Sequence, residues 1–251
     1  MKDIKIEYKL LGFIPLRWKR TIPERWDEVT PEQLITLSKL YLNEIDDGQM
    51  ISLFYRIPRY IAWRMPPFYT FLLTTELDFI TDFKPCNRFM IKRFAGMESP
   101  KPRLEGMNFG QFIFADTYFE EYADSVNPES LHKFIASLYT PPKKAFSDKQ
   151  IPNLAKKVAL QDESEIQAIV INYRLIREWL MEAYPVIFSK GKEKEGTKEP
   201  VKRNKQGWLD VLDSLVDDDI VNFDKYAQMP LHNVLRYMSK KIKENAKRPK
   251  V

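Results

Sequence analysis

The sequence predicts a mainly α protein: a multi-helix body, a small N-terminal β-hairpin and a tethered C-terminal helical hairpin. Three observations predict it. Gly is scarce and Pro is common, 8 against 17, which suits helices with Pro-punctuated joints better than Gly-rich turns. Apolar residues recur at i, i+3, i+4 and i+7 in the longer stretches, the period of one helix face. Only the stretch near the start alternates as a strand does. The 251 residues allow one large or two small domains, and 44% apolar residues with 16 Phe, 12 Tyr and 5 Trp supply a core. The boundaries fall at 1–24 for the β element, 25–188 for the helical body, 189–207 for a charged linker and 208–246 for the C-terminal hairpin.

Each element has a local reason. Residues 4 to 22, "IKIEYKLLGFIPLRWKRTI", alternate apolar and polar and carry β-branched and aromatic residues, so they predict two short strands around Leu11-Gly12. "TPEQL" predicts a helix start: Thr30 caps, Pro31 takes the first helical position and Gln33 reaches back to the cap. Leu34, Leu37 and Tyr41 follow on one face. Asn127 and Pro128 repeat the device ahead of a stripe of Leu131, Phe134, Ile135, Leu138 and Tyr139, which Pro141 and Pro142 stop. The longest helix spans 162 to 184, with Ile166, Ile169, Val170, Tyr173, Ile176 and Leu180 on one stripe. Trp208, Val211, Leu212, Leu215 and Val216 form the first face of the C-terminal hairpin. Leu231, Val234, Leu235, Met238 and Ile242 form the second.

Several function classes find little support. The single cysteine, Cys86, excludes an intramolecular disulfide and fits a reducing compartment. Lys2, Asp3, Lys5 and Glu7 break any apolar run at the start, so no signal peptide is expected there. The most apolar region, 51 to 73, is interrupted by Arg56, Arg59, Arg64 and three prolines and is not a spanning helix. His132 and His232 have no Cys or second His at metal-ligand spacing, and structural or solvent-facing roles are expected for both. There is no G-x-S-x-G, no Gly-rich phosphate loop, and Cys86 lies in a Pro-Cys-Asn turn. Glu76, Asp78 and Asp82 cluster, with the two aspartates one helical turn apart, a spacing that could hold a hard cation. A solvated helix face is the expected role of such carboxylates. No catalytic residue, metal site or cofactor is therefore expected.

Charge is concentrated. Residues 190 to 207 hold seven basic groups against three acidic, and the tail from Ser239 holds six against one, which leaves the remainder at −4 of the total +5. The body is mildly acidic, unlike a dedicated nucleic-acid domain with a basic folded face. Aromatic and basic residues do interleave, at Tyr55, Arg56, Arg59, Tyr60, Trp63 and Arg64, and again at Arg88, Phe89, Lys92, Arg93 and Phe94. Rings stack bases and guanidinium groups bind phosphates, so Arg56, Arg59, Arg64, Arg88, Lys92 and Arg93 are the candidates for a nucleic-acid alternative. The competing reading, favoured by the helical spacing, is buried helices with arginines reaching to the rim. The charged stretch itself reads as a tether, placing the hairpin roughly 20–25 Å from its anchor at random-coil scaling.

Several segments carry a resemblance. "IPERWDEVTPEQLITLSKLYL", "NFGQFIFADTYFEEYA" with "LHKFIASLYTPP", and "GWLDVLDSLVDDDIVNFDKYAQMPLHNVLRYMSKKI" cover about half the chain. They resemble tail-assembly chaperones of phages and prophages of Bacteroidetes-type hosts. The resemblance implies a non-enzymatic helical protein, made in the cytoplasm of the infected cell, that holds a tape-measure or other tail protein during virion assembly. No residue role of that family carries over. An amphipathic surface accepts helices in grooves, and Met and aromatic residues adapt to varied partners. Trp208, Leu212, Leu215, Met229, Tyr237 and Met238 are the partner-binding candidates, with homo-oligomerisation as a further expectation. The rivals are a virion connector protein, a nucleic-acid-binding protein using the basic linker and tail, and an enzyme with a metal on Asp78 and Asp82.

Overall fold

The protein is mainly α-helical. The computed structural model describes residues 1–10, 13–188, 208 and 220–247. They fall into two compact units: Met1–Ile91 with Asp162–Glu178, and Lys92–Gln161 with the chain from Trp179 onward. The N-terminal β element thus shares a unit with helices instead of standing apart.

In the first unit, β1 (Lys2–Leu10) and β2 (Ile14–Ile22) form the predicted antiparallel hairpin, in register from Lys2 opposite Ile22 to Leu10 opposite Ile14. Period-2 alternation buries Ile6, Tyr8 and Ile22 and leaves Asp3, Lys5, Glu7, Arg17 and Lys19 exposed. The outer face is charge-matched, with Arg17 to Glu7 and Lys19 to Asp3 at 3.5 Å each. Lys2 reaches out of the hairpin to Glu76. Helix α1 (Pro31–Tyr41) opens with the predicted capping box: Gln33 N–H donates to the Thr30 hydroxyl, and Thr30 N–H donates to the Gln33 side chain. Leu34 and Leu37 are buried, but Tyr41, in the last turn, is 53% exposed.

Helices α2 (Asp47–Tyr55), α3 (Arg59–Ala62) and α4 (Pro67–Thr75) follow, and the unit is completed by the first part of α8 (Glu163–Ala183). Its Ile166, Ile169, Val170, Tyr173 and Ile176 are buried as the stripe predicts. One buried polar residue ties α8 to the extended segment ahead of it. Asn172 accepts the Met90 N–H at 2.7 Å and donates to the Arg88 carbonyl at 3.0 Å, so its amide is satisfied on both sides. Cys86 N–H donates to the Leu175 carbonyl at 3.2 Å.

In the second unit, the two-residue strands β3 (Arg93–Phe94) and β4 (Met97–Glu98) lead into α5 (Phe109–Ser125), α6 (Pro128–Leu138) and α7 (Ile151–Val158). The predicted stripe of α6 is fully buried. Gln111, buried on α5, donates to the carbonyls of Ser137 and Leu138 and so satisfies the end of α6. Helices α9 (Ile220–Gln228) and α10 (Leu231–Lys247) close the unit. Leu231, Val234, Leu235 and Met238 are buried, and Ile242 is 40% exposed.

The C-terminal helices are docked within their unit, so their apolar face meets the chain's own α5. Helix α9 lies so close to α5 that a Cβ on Gly110 would meet the Ala227 Cβ at 3.1 Å and its carbonyl oxygen at 3.2 Å. Phe109 N–H donates to the Met229 carbonyl at 2.9 Å, and Leu231 N–H donates to the Met107 carbonyl at 3.0 Å. Trp208, 9% exposed, enters a socket of Phe109, Phe112 and Phe188, and its indole N–H donates to the buried Asp116 carboxyl at 2.7 Å. The rings of Phe188 and Trp208 are 5.5 Å apart, so the residues flanking 189–207 meet instead of standing 20–25 Å apart. Burial of an indole and its hydrogen bond outweigh the modest entropy of closing such a loop. Residues 189–207 and the predicted helix at 209–216 lie outside the described residues.

Candidate interaction surface

The structure separates the predicted partner-binding residues. Trp208 and Met238 are buried in their own unit, so neither offers a free surface. Met229 is 37% and Tyr237 45% exposed, and Lys241 lies over the Tyr237 ring at 5.6 Å. Leu212 and Leu215 lie outside the described residues.

The basic candidates separate as well. Arg88 is half-buried and donates to the Asp27 carbonyl, a backbone tie. Lys92 and Arg93 belong to the second unit, where Arg93 pairs with Glu98 at 3.6 Å. The rings interleaved with them, Phe89 and Phe94, are buried, as is Tyr55. Arg56, Arg59 and Arg64 remain, all exposed, in the first unit beside Tyr60 and Trp63.

The local sequence explains why that surface forms. Helix α2 ends at Tyr55, and Arg56 adopts left-handed backbone with φ 48°. The Arg20 side chain from β2 donates to the carbonyls of Tyr55 and Arg56, supplying partners for the helix end. Pro58 then stands at the N-cap of α3, and Pro66-Pro67 end that turn and start α4. The Tyr55 hydroxyl donates to the Leu73 carbonyl and stitches α2 to α4; burial pushes this phenol up from its ordinary range. On α3, Ile61 and Ala62 turn inward while Arg59 and Tyr60 are exposed, as are Trp63 and Arg64 just past its end.

Helix α4, "PFYTFLLTT", has no charged residue. Leu73 is buried and the Tyr69 ring meets Tyr8 edge-on at 5.5 Å. Phe68, Phe71 and Leu72, at i, i+3 and i+4, are 66%, 64% and 42% exposed. Tyr60 on α3 and Trp63 just past it are exposed as well, at 62% and 75%. An ordinary amphipathic helix turns its polar side outward. The sequence carries a signal for this reversal: α4 has no charged side chain, and its polar groups are only the threonines Thr70, Thr74 and Thr75.

A groove of about 620 Å³ is lined by Asp46, Gly48, Gln49, Arg59, Tyr60 and Trp63. Asp46 caps α2 by accepting the Gln49 N–H at 2.8 Å. Gly48 brings α2 against α3, since a Cβ there would meet the Trp63 Cα at 3.4 Å. The buried Gln49 Oε1 accepts no hydrogen bond from the chain.

Of the remaining predicted groups, Asp82, Glu76 and His232 have side-chain partners. Asp82 pairs with Lys84 at 3.0 Å and Glu76 with Lys2, while Asp78 begins a 3-10 turn. Among the described residues, no three His, Cys, Asp or Glu side chains cluster as metal ligands. His232 lies stacked on Tyr184, hydrogen-bonds its hydroxyl at 2.7 Å and contacts the Arg103 carbonyl through its other ring nitrogen. His132 is half-buried on α6. Burial pushes the Cys86 thiol up from its ordinary range, the opposite of an activated nucleophile. Among the described residues, no helix is long and apolar enough to cross a membrane. Comparison of the chain with family models, with curated proteins and with solved structures gave no match.

Proposed function

We propose that this chain is a non-enzymatic assembly protein of the tail-assembly chaperone kind, holding a helical client such as a tape-measure protein in the host cytoplasm while a tail is built. The observation that supports it is the solvent-facing apolar side of α4: Phe68, Phe71 and Leu72, at i, i+3 and i+4. Exposed apolar surface marks a partner site when it is large, and aromatic residues dominate interface energetics. The test is co-expression with the flanking genes. The full chain should keep a long helical tail protein soluble, identified by mass spectrometry, and should be absent from finished particles. A Phe68→Ser, Phe71→Ser, Leu72→Ser variant should lose it. The chain's presence in finished particles at fixed stoichiometry would make it a virion component instead.

A second reading, single-stranded nucleic-acid binding, draws on the exposed Arg56, Arg59 and Arg64 beside Tyr60 and Trp63. It requires binding that falls steeply with salt. The uncharged α4 face favours the protein client.

A further inference from the structure

We infer that the groove between the end of α8 and α10 takes an acidic helix face of a protein partner, with carboxylates at i, i+4 and i+7. The inference rests on the chaperone reading and names the chemistry by which a client is held. The groove, about 550 Å³, lies within the second unit. One wall is a row of cations on α10: Arg236, Lys240 and Lys243. They stand at i, i+4 and i+7 and so share one helix face, spread over about 10 Å. All three are exposed. The other wall is the apolar Pro185 and Val186, with Tyr184.

Charge selects the occupant. Among the described residues, the acidic group lining the groove is Glu244, which pairs with Lys240 at 3.8 Å. Three cations against that carboxylate and about half a charge at the carbonyl end of α8 leave the groove positive. The dipole of α10 does not account for the row. Its reach is the last turn, and Arg236 and Lys240 lie more than a turn ahead of the end at Lys247. The Arg236 guanidinium stands beside the Tyr184 hydroxyl, which helps to hold it in the groove. A second helix with Glu or Asp at the same spacing presents one carboxylate to each cation, the kind of pairing that sets partner choice between helices. Its neighbouring aliphatic side chains lie on Pro185 and Val186. Nucleic acid fits less well. Bases need a free ring to stack on, and the Tyr184 ring is already stacked on His232, with centroids 5.8 Å apart.

The test uses the full chain and two labelled Ala/Gln-based peptides of about 18 residues, long enough to form a helix once docked. One carries Glu at i, i+4 and i+7, the other Gln. Fluorescence anisotropy reads their binding. The Glu peptide should bind, with an affinity that falls as salt rises, and the Gln peptide should bind roughly tenfold or more weakly. The Lys240→Glu, Lys243→Glu variant should lose affinity for the Glu peptide by roughly tenfold or more. The Lys156→Glu, Lys157→Glu variant makes the same charge change at exposed positions of α7 and should keep it. Circular dichroism of both variants checks the fold. Equal binding of the two peptides, binding of neither, or equal loss in the two variants overturns the proposal. So does an oligothymidylate that binds more tightly than the Glu peptide and displaces it. The co-expression assay separates the two levels. If the tail client is held by wild type and equally by the Lys240→Glu, Lys243→Glu variant, the groove assignment fails and the chaperone reading survives. If no tail client is held at all, the chaperone reading fails whatever the peptides show.

Discussion

Replacing Trp208 by Ala should remove about 3–5 kcal/mol from the second unit, the usual range for deleting a buried indole. The size follows from the socket. The side chain is 9% exposed and meets Phe112 at 5.0 Å, Phe188 at 5.5 Å and Phe109 at 6.2 Å, each ring at a steep angle. A buried indole removes roughly 150–250 Å² from water, worth about 4–6 kcal/mol gross at 25 cal/mol per Å². Trp208→Phe keeps most of that area but removes the donor to Asp116, and should cost about 1–3 kcal/mol. Asp116→Asn keeps an acceptor and should cost less than Asp116→Leu, which leaves the indole N–H buried without one. Urea unfolding gives the free energies. Hydrogen exchange on the α5 amides from Phe109 to Phe119 shows whether the loss is local to the socket. If Trp208→Ala changes stability by less than about 0.5 kcal/mol, the level of an ordinary surface substitution, the indole is not a structural anchor.

Because Phe188 and Trp208 meet, replacing the 19 residues from 189 to 207 by a turn of about six should stabilise the protein by roughly 1 kcal/mol, the saving in loop-closure entropy; a large destabilisation in urea refutes it. Asp162, just ahead of α8, accepts from the Ser164 hydroxyl and backbone N–H, which holds its carboxyl below the ordinary range. A depressed folded pKa gives stability that is present above the unfolded value of about 4 and is lost as pH falls through the folded one. Asp162→Ala, which removes these cap hydrogen bonds, should cost about 1 kcal/mol at pH 7, a gap to wild type that narrows in urea titrations below about pH 4.

Elements whose cause is local were legible in the sequence. The capping box at Thr30 and Gln33, the cap and proline at Asn127 and Pro128, and the stripes of α6 and α8 depend on neighbours within a turn or two. The hairpin register follows from period-2 alternation. What escaped depends on residues far apart in the chain. Nothing around Asp116 announces a partner at Trp208, 92 residues away, and the amphipathic C-terminal face could equally have met another chain. The exposed side of α4 escaped for a different reason. Apolar residues at helical spacing are normally a core stripe, and only the absence of any charge from 67 to 75 marks this helix as different.

The docked Trp208 also changes which experiment can locate the partner site. With a tether, a truncation ending at Ser189 would delete the C-terminal hairpin and leave a sound body, so loss of a client would assign binding to the hairpin. With the indole seated against Phe109, Phe112 and Phe188, the same truncation removes a donor to Asp116 and uncovers three rings of the socket. It also removes the backbone partners of Met107 and Phe109. A client lost in that truncation then reports a damaged second unit as readily as a missing site. Substitutions on α3 and α4 avoid the ambiguity. Phe68, Phe71, Leu72 and Trp63 are exposed, so replacing them removes surface without opening a cavity. Loss of the client there, with the urea midpoint unchanged, is an effect of the surface alone.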